Sequence, residues 1–329
     1  RGVSIPRPFL IIKTIRRKCG WLFTRYVYYI QIGDVMNLKE FTDRMKTAIS
    51  DALNKEVQIV SPLKINGIRP YGLAVKEPDS NVSPTIYLES FFERFLETDD
   101  WEQAVKDVLA FYENNVLTDS VDIDLLMDFG RIQKKLYYRL INYEANRELL
   151  AKIPHTRFLD LAKVYYADCE IGGNMPGRFL IHYGHIRLWG IDENELVKTA
   201  EENTPGLYPA YIRDMLSALM PGNPLDTLEA PEDFSSSMFA LTNAEADYGA
   251  AAVCYKGVLD DFARKIEDDL VILPSSVHET ILLPLHKNGD IDHLKCMVYD
   301  INRTLLEPSE FLSDNVYLFN RQNKQLTIA

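Results

Sequence analysis

Leu38, Phe41, Met45, Ile49 and Leu53 recur at steps of three and four along the chain, the spacing of a helix with one apolar stripe. Asn37 stands where a capping side chain would and Glu40 follows three residues on, the arrangement of a capping box. Two apolar runs, Val57–Val60 and Leu73–Val75, flank the turn signal Asn66-Gly67 and read as paired strands. Thr85–Leu88 adds another strand. Phe91, Phe92, Phe95 and Leu96 share one helical face, and residues 100–115 repeat that pattern through Trp101, Val105, Val108 and Tyr112.

Farther on, Lys135–Asn142 fits helix or strand. RFLDLAKVYYA (157–167) and GRFLIHYGHIRLWG (177–190) read as strands around a loop at 172–176. Residues 192–203 and 208–219 are expected to be helices, the first capped by Asp192 with Glu195 in the box position. A polar connector at 221–236 leads to strands at 237–242, 249–255, 269–273 and 277–283. Helices are expected at 257–267 and 290–303, and terminal strands near 315–319 and 325–328. Hairpins outnumber strand–helix–strand units, which makes the chain α+β rather than doubly wound α/β. An acidic stretch near 117–130 divides it into subdomains, 36–130 and 131–329, each expected to hold a small mixed or antiparallel sheet packed by helices.

Composition changes the picture at one end only. With 47% hydrophobic and 26% charged residues, the chain is that of an ordinary folded protein. Of its 36 basic and 48 acidic side chains, residues 1–35 hold seven basic and one acidic. Everything after them is strongly acidic. Gly33-Asp34-Val35-Met36 can be encoded as a ribosome-binding sequence running into a start codon, so Met36 is the expected natural start and 1–35 translated upstream sequence. A signal peptide needs an unbroken apolar core, and here Lys13, Arg16–Lys18 and Arg25 interrupt every apolar run. No stretch approaches the ~18 apolar residues of a membrane span.

An acidic body disfavours nucleic acid, because the 18 tyrosines and 15 phenylalanines lack the positive groove that base stacking requires. The acids from Asp119 onward miss both the glycine and the glutamate of a calcium loop. Four cysteines stand far apart with no CxxC, so neither a zinc cage nor a redox pair is expected; reduced thiols in a cytoplasmic protein fit better. His182 and His185 point to opposite sides of a strand and have no third ligand nearby. No cofactor and no metal is therefore expected. Phosphate-loop, dinucleotide, zinc-protease and nucleophile-elbow motifs are all missing.

The most chemical-looking stretch is Ser275-Ser276-Val277-His278-Glu279, between two apolar runs. Ser276 and His278 would share a strand face, the pair of a hydrolase, with Glu279 or a distant acid assisting. About 7 Å separates i from i+2 along a strand, however, and Glu279 falls on the other face. A polar turn between buried strands, with serine hydroxyls satisfying local backbone groups, is the favoured reading.

Taken together, NVSPTIYLESFFERF (81–95), RLINYEANRELLAKIPHTRFLDLAKVYY (139–166), WGIDENELVKTAEENTP (189–205), MFALTNAEADYGAAAVCYKGVLDDFARKI (238–266), ILPSSVHETILLP (272–284) and LSDNVYLFN (312–320) resemble bacterial domain-of-unknown-function family 5688, widespread in anaerobic gut bacteria. The resemblance runs from Met36 to the end and brings no catalytic residue with it. The expectation is a non-catalytic cytoplasmic protein acting through protein or small-ligand contacts. A Ser276/His278 hydrolase and an accessory protein of mobile genetic elements are the alternatives.

Overall fold

The computed structural model describes residues 10–16, 22–28, 36–77, 85–115, 128–171, 175–215 and 238–329. Within the basic opening segment, β1 (Leu10–Arg16) and β2 (Leu22–Tyr28) pair as an antiparallel hairpin.

Helix α1 (Leu38–Leu53) starts at a reciprocal cap: the Asn37 side chain accepts from the Glu40 N–H at 3.0 Å, and the Glu40 carboxylate accepts from the Asn37 N–H at 3.1 Å. Such caps satisfy backbone donors that the first turn leaves open. Its buried face, Phe41, Met45 and Ile49, lies on the antiparallel sheet of β3 (Val57–Val60), β4 (Gly72–Val75) and β5 (Thr85–Tyr87). Helices α2 (Glu89–Thr98) and α3 (Trp101–Asn115) close this small core. There the Phe41 ring lies 5.3–5.6 Å from those of Phe92, Phe95 and Trp101, within the range of favourable tilted aromatic pairs.

The cluster is separate from those of the second half. A single-turn helix at Ile65–Gly67 reaches across to it. The Asn66 amide donates to the carbonyls of Pro308 and Phe311, both at 2.9 Å, and the Asn66 N–H donates to Asn146 Oδ1.

In the second half, the short helix α4 (Phe129–Ile132) precedes β6 (Leu136–Asn142), and the short α5 (Arg147–Leu150) precedes β7 (His155–Phe158), β8 (Leu161–Ile171) and β9 (Met175–Leu180). β8 is 11 residues long and takes β6 along one edge, with β7 and then β9 along the other, all antiparallel. Asp160, in the β7–β8 turn, accepts from Ser313, Asn315 and Tyr317 at 2.6–2.9 Å, which ties that turn to the chain's last segment.

Helices α6 (Tyr183–Trp189) and α7 (Glu193–Leu207) follow, then β10 (Ala210–Asp214) and β11 (Phe239–Asn243). After a 3₁₀ segment at Gly249–Cys254 come α8 (Val258–Lys265), β12 (Leu270–Pro274), β13 (Thr280–Pro284), α9 (Ile291–Thr304), β14 (Tyr317–Asn320) and β15 (Gln325–Ile328). The six strands of this region form an antiparallel sheet in the order β10-β11-β13-β12-β14-β15.

Strand alternation assigns the faces. Tyr138, Leu140, Leu161 and Tyr165 from the four-stranded sheet share the main core with Phe239, Leu241, Leu270, Ile272 and Leu282 from the six-stranded one. The alternate residues Val271, Leu273, Ile281 and Leu283 pack against Leu294 and Val298 of α9.

The α+β architecture stands, with five corrections. The second half holds two sheets rather than one, and every pairing in the described sheets is antiparallel. Residues 183–189 are helical, not strand, because Ile186 and Trp189 bury one helical face and Gly190, at φ +66°, ends it. Within the expected helix 208–219, residues 210–214 pair with β11 instead, where a sheet edge satisfies their backbone. The expected strand at 249–255 is a 3₁₀ segment whose alanines are buried on all sides, so no polar face marked its period. Residues 157–167 also split into two strands around the left-handed Leu159. Residues 117–127 of the acidic stretch at 117–130, and the connector at 221–236, lie outside the described residues.

Candidate functional site

β6 reads Leu-Tyr-Tyr-Arg-Leu-Ile-Asn, and all seven residues are buried. Alternation sends Tyr138 and Leu140 into the main core and Tyr137 and Arg139 to the opposite face. Register places Tyr166 of β8 beside Tyr137, and Asp168 beside Arg178 of β9. One sheet face therefore gathers two arginines, two tyrosines and a carboxylate.

The loop after β11 caps this face with Asp247. Its Oδ2 accepts from Arg139 Nη2 at 3.1 Å and from Arg178 Nη1 in a closer contact. The Arg139 guanidinium lies 3.8 Å from the Tyr248 ring centroid and 4.8 Å from that of Tyr166. With its side chain only 7% exposed, it depends on that carboxylate and those π faces to offset desolvation.

The loop is wound tightly to reach this position. Ala246 and Tyr248 both take left-handed φ, 52° and 51°, a conformation that costs on the order of 1–3 kcal/mol for each non-glycine residue. The Asn243 side chain holds the turn, donating to the Asp247 carbonyl at 2.8 Å and accepting from the Asp247 N–H at 3.2 Å. Gly249 then packs where no Cβ fits. An added methyl would lie 2.1 Å from Thr242 Oγ1, 2.5 Å from Asn243 N and 2.7 Å from the His278 carbonyl oxygen.

That last contact brings in the turn between β12 and β13. The His278 ring, one-third exposed, accepts the Tyr248 N–H at Nδ1 (3.1 Å), and the same atom lies 3.7 Å from Asp247 Oδ1. An accepting Nδ1 leaves the proton of the neutral imidazole on Nε2.

Ser276 is buried; its Oγ accepts from the His278 N–H at 3.0 Å, while its own N–H donates to the Glu279 carbonyl at 3.2 Å. Glu279 instead accepts from Arg213 at 3.2 Å. Of the three residues singled out in the sequence, the structure brings His278 to the cluster. Ser276 shapes the turn beneath it, and Glu279 faces β10. Among the described residues, no hydrogen bond joins the imidazole to the Ser276 hydroxyl or the Glu279 carboxylate.

Asp247, Arg139 and Arg178 were missed in the sequence because they come from three elements. The one available signal was the pairing of tyrosine with arginine on alternate positions of β6.

Asp168 accepts from the Tyr208 hydroxyl at 2.8 Å. Burial, then this hydrogen bond, pushes the Tyr208 hydroxyl up to about 12; burial does the same for Tyr166. Both therefore remain protonated at neutral pH. The Tyr137 hydroxyl is buried and makes no well-formed hydrogen bond among the described residues, although the Tyr208 ring lies 4.8 Å away, centroid to centroid. Beside it a cavity of about 10 Å³, bordered by Arg139, Asp247 and Tyr248, is of a size for one water.

His182 and His185 form a helix start rather than a metal pair: the His182 N–H donates to His185 Nδ1 at 3.0 Å, and His185 stacks on Trp189. Among the described residues, no group of three or more His, Cys, Asp or Glu could hold a metal ion, and no helix is long and apolar enough to cross a membrane.

The model of a family of unknown function, DUF5688, matches residues 38–321. The chain belongs to that family. The match contains every residue of the Asp247 cluster and both turns that build it. No curated protein and no solved structure matches the chain.

Proposed function

We propose that this DUF5688 member acts by binding rather than by bond-making, and that Arg178 and His278 receive a small anion bearing a carboxylate or phosphoryl group. The carrying observation is the sharing of Asp247. One carboxylate serves two guanidiniums, and among the described residues Arg178 donates through Nη1, with its side chain 47% exposed. Its remaining N–H groups, with the Nε2–H of the one-third exposed His278 ring, are donors suited to an oxyanion. Arg139 beneath is the positioning residue, and the wound loop holds the set in place.

Calorimetric titration of the full chain with inorganic phosphate and with succinate tests this and separates the two head groups. Arg178→Gln and His278→Gln are expected to weaken the bound anion about tenfold or more, the loss of one charge-assisted hydrogen bond at ~1.5–3 kcal/mol. Unchanged affinity in both variants would refute the reading.

A second reading has one observation behind it. Asp247 stands 3.7 Å from His278 Nδ1, on the side where a hydrolase keeps its acid. The reading requires Nδ1 to release the Tyr248 N–H and carry the proton toward Asp247. It requires Ser276 to exchange its turn hydrogen bond for one to the imidazole. Turnover of p-nitrophenyl acetate that disappears in both Ser276→Ala and His278→Ala would establish it in place of the binding role.

A further inference from the structure

The four-stranded sheet has a second face, and a larger opening lies there. Lys163 of β8 pairs with Leu140 in register, so it projects on the side opposite Arg139. Together with Tyr138 it forms the floor of a cleft of about 570 Å³, within the roughly 300–1,000 Å³ of small-molecule sites. One wall is a stripe of α7 that includes Val197, Lys198, Glu201 and Pro205, at helical spacing; the other is the segment Cys254–Lys256. Tyr138 and Tyr255, in edge contact at 6.2 Å, border both this cleft and the small cavity near Asp247, and divide the two.

The cleft's chemistry differs from that of the rest of the chain. In a protein of net charge −12, its lining carries three lysines, Lys163, Lys198 and Lys256, against two glutamates, Glu201 and Glu202. The Lys163 side chain is only 11% exposed, and its ammonium lies 4.8 Å from the Tyr138 ring centroid. Its partner is Glu201, at 2.6 Å and 43% exposed, a flexible side chain on the helix surface. Lys198 and Lys256 have no ion-pair partner among the described residues. Burial pushes the Cys254 thiol up to about 12, so that side chain adds a neutral surface to a wall that also carries Lys256.

The geometry points to a second ligand site, between α7 and residues 254–256, for an amphipathic organic anion. An apolar body of one or two rings lies against Tyr138, Val197 and Tyr255. Its carboxylate or phosphoryl group meets Lys163, taking the place of Glu201, while Lys198 and Lys256 draw it in. The site is distinct from the anion reading at Asp247 because its cations, Lys163, Lys198 and Lys256, are not those of the Asp247 cluster, although Tyr138 and Tyr255 border both openings.

Calorimetry on the full chain with phenylacetate, phenyl phosphate and phenethylammonium tests it. At least one of the two anions is expected to bind, the better one identifying the head group, and the cation is expected not to. Val197→Trp, which fills the cleft, and Lys256→Glu, on its exposed wall, should each weaken that binding tenfold or more. The proposal is overturned if neither anion binds at millimolar concentration, if the cation binds equally, or if Val197→Trp changes nothing. Loss in Arg178→Gln alone would also overturn it and return the anion to the Asp247 face.

Discussion

Gly249→Ala tests the packing that sets Asp247 against the His278 turn. The added methyl meets a side-chain oxygen at 2.1 Å and two backbone atoms at 2.5 and 2.7 Å. Backbone on both sides leaves no easy escape, since Asn243 belongs to β11 and His278 is fixed by the hairpin of β12 and β13. Overpacking of this kind costs ~1–3 kcal/mol. Displacing Thr242, whose hydroxyl donates to the His278 carbonyl at 2.8 Å, adds ~0.5–1.5 kcal/mol. Alanine's smaller unfolded-state entropy returns ~0.4–1 kcal/mol. These ranges combine to a loss centred on about 2 kcal/mol, read as a lower urea midpoint at unchanged slope. Adding Thr242→Ala removes the shortest contact and leaves the two backbone ones, so recovery should be partial. A loss below about 1 kcal/mol, or complete recovery in the double variant, would refute the claim that backbone closes this site.

Tyr137→Phe removes a buried hydroxyl that has no well-formed hydrogen bond, so it should leave thermal stability unchanged or raise it by up to ~1 kcal/mol; a clear loss would reveal a partner. Asp160→Ala deletes the acceptor of three side-chain donors and should cost about 2–4 kcal/mol in urea unfolding. In the small core, hydrogen bonds from Lys55, then Tyr112, hold the Glu77 carboxyl below its ordinary 4.5. A depressed folded value means the contribution is complete above the ordinary one and fades as pH falls through the depressed one. Melting temperatures of Glu77→Gln should therefore lie below the parent's at pH 6 and converge with them in acid. Native-state alkylation of Cys254 at pH 7.5 should be slow relative to the urea-unfolded chain, as its raised thiol value requires.

The sequence exposed elements whose two sides differ. α1 was legible from its cap and stripe, and α9 and the β12–β13 hairpin from their apolar spacing. The misreadings fell where that contrast fails. Gly249–Val253 is apolar throughout and buried, a case in which periodicity cannot separate strand from helix. Residues 183–189 held a legible stop at Gly190, but the apolar run before them favoured extending the strand. His278 stood out because its turn is polar between apolar runs. Asp247, Arg139 and Arg178 did not, because what joins them is pairing between distant strands, and the left-handed Ala246 and Tyr248 that aim the carboxylate have no local signature.

β6 also bears on how relatives can diverge. Its two sets of alternate residues serve opposite environments, Tyr138 and Leu140 in the main core, Tyr137 and Arg139 toward Asp247. Inserting or deleting one residue would exchange them, driving a guanidinium into the core and a leucine against a carboxylate. Length variation among family members is thus expected to spare 136–142 and its partner 161–167, however freely the individual side chains drift.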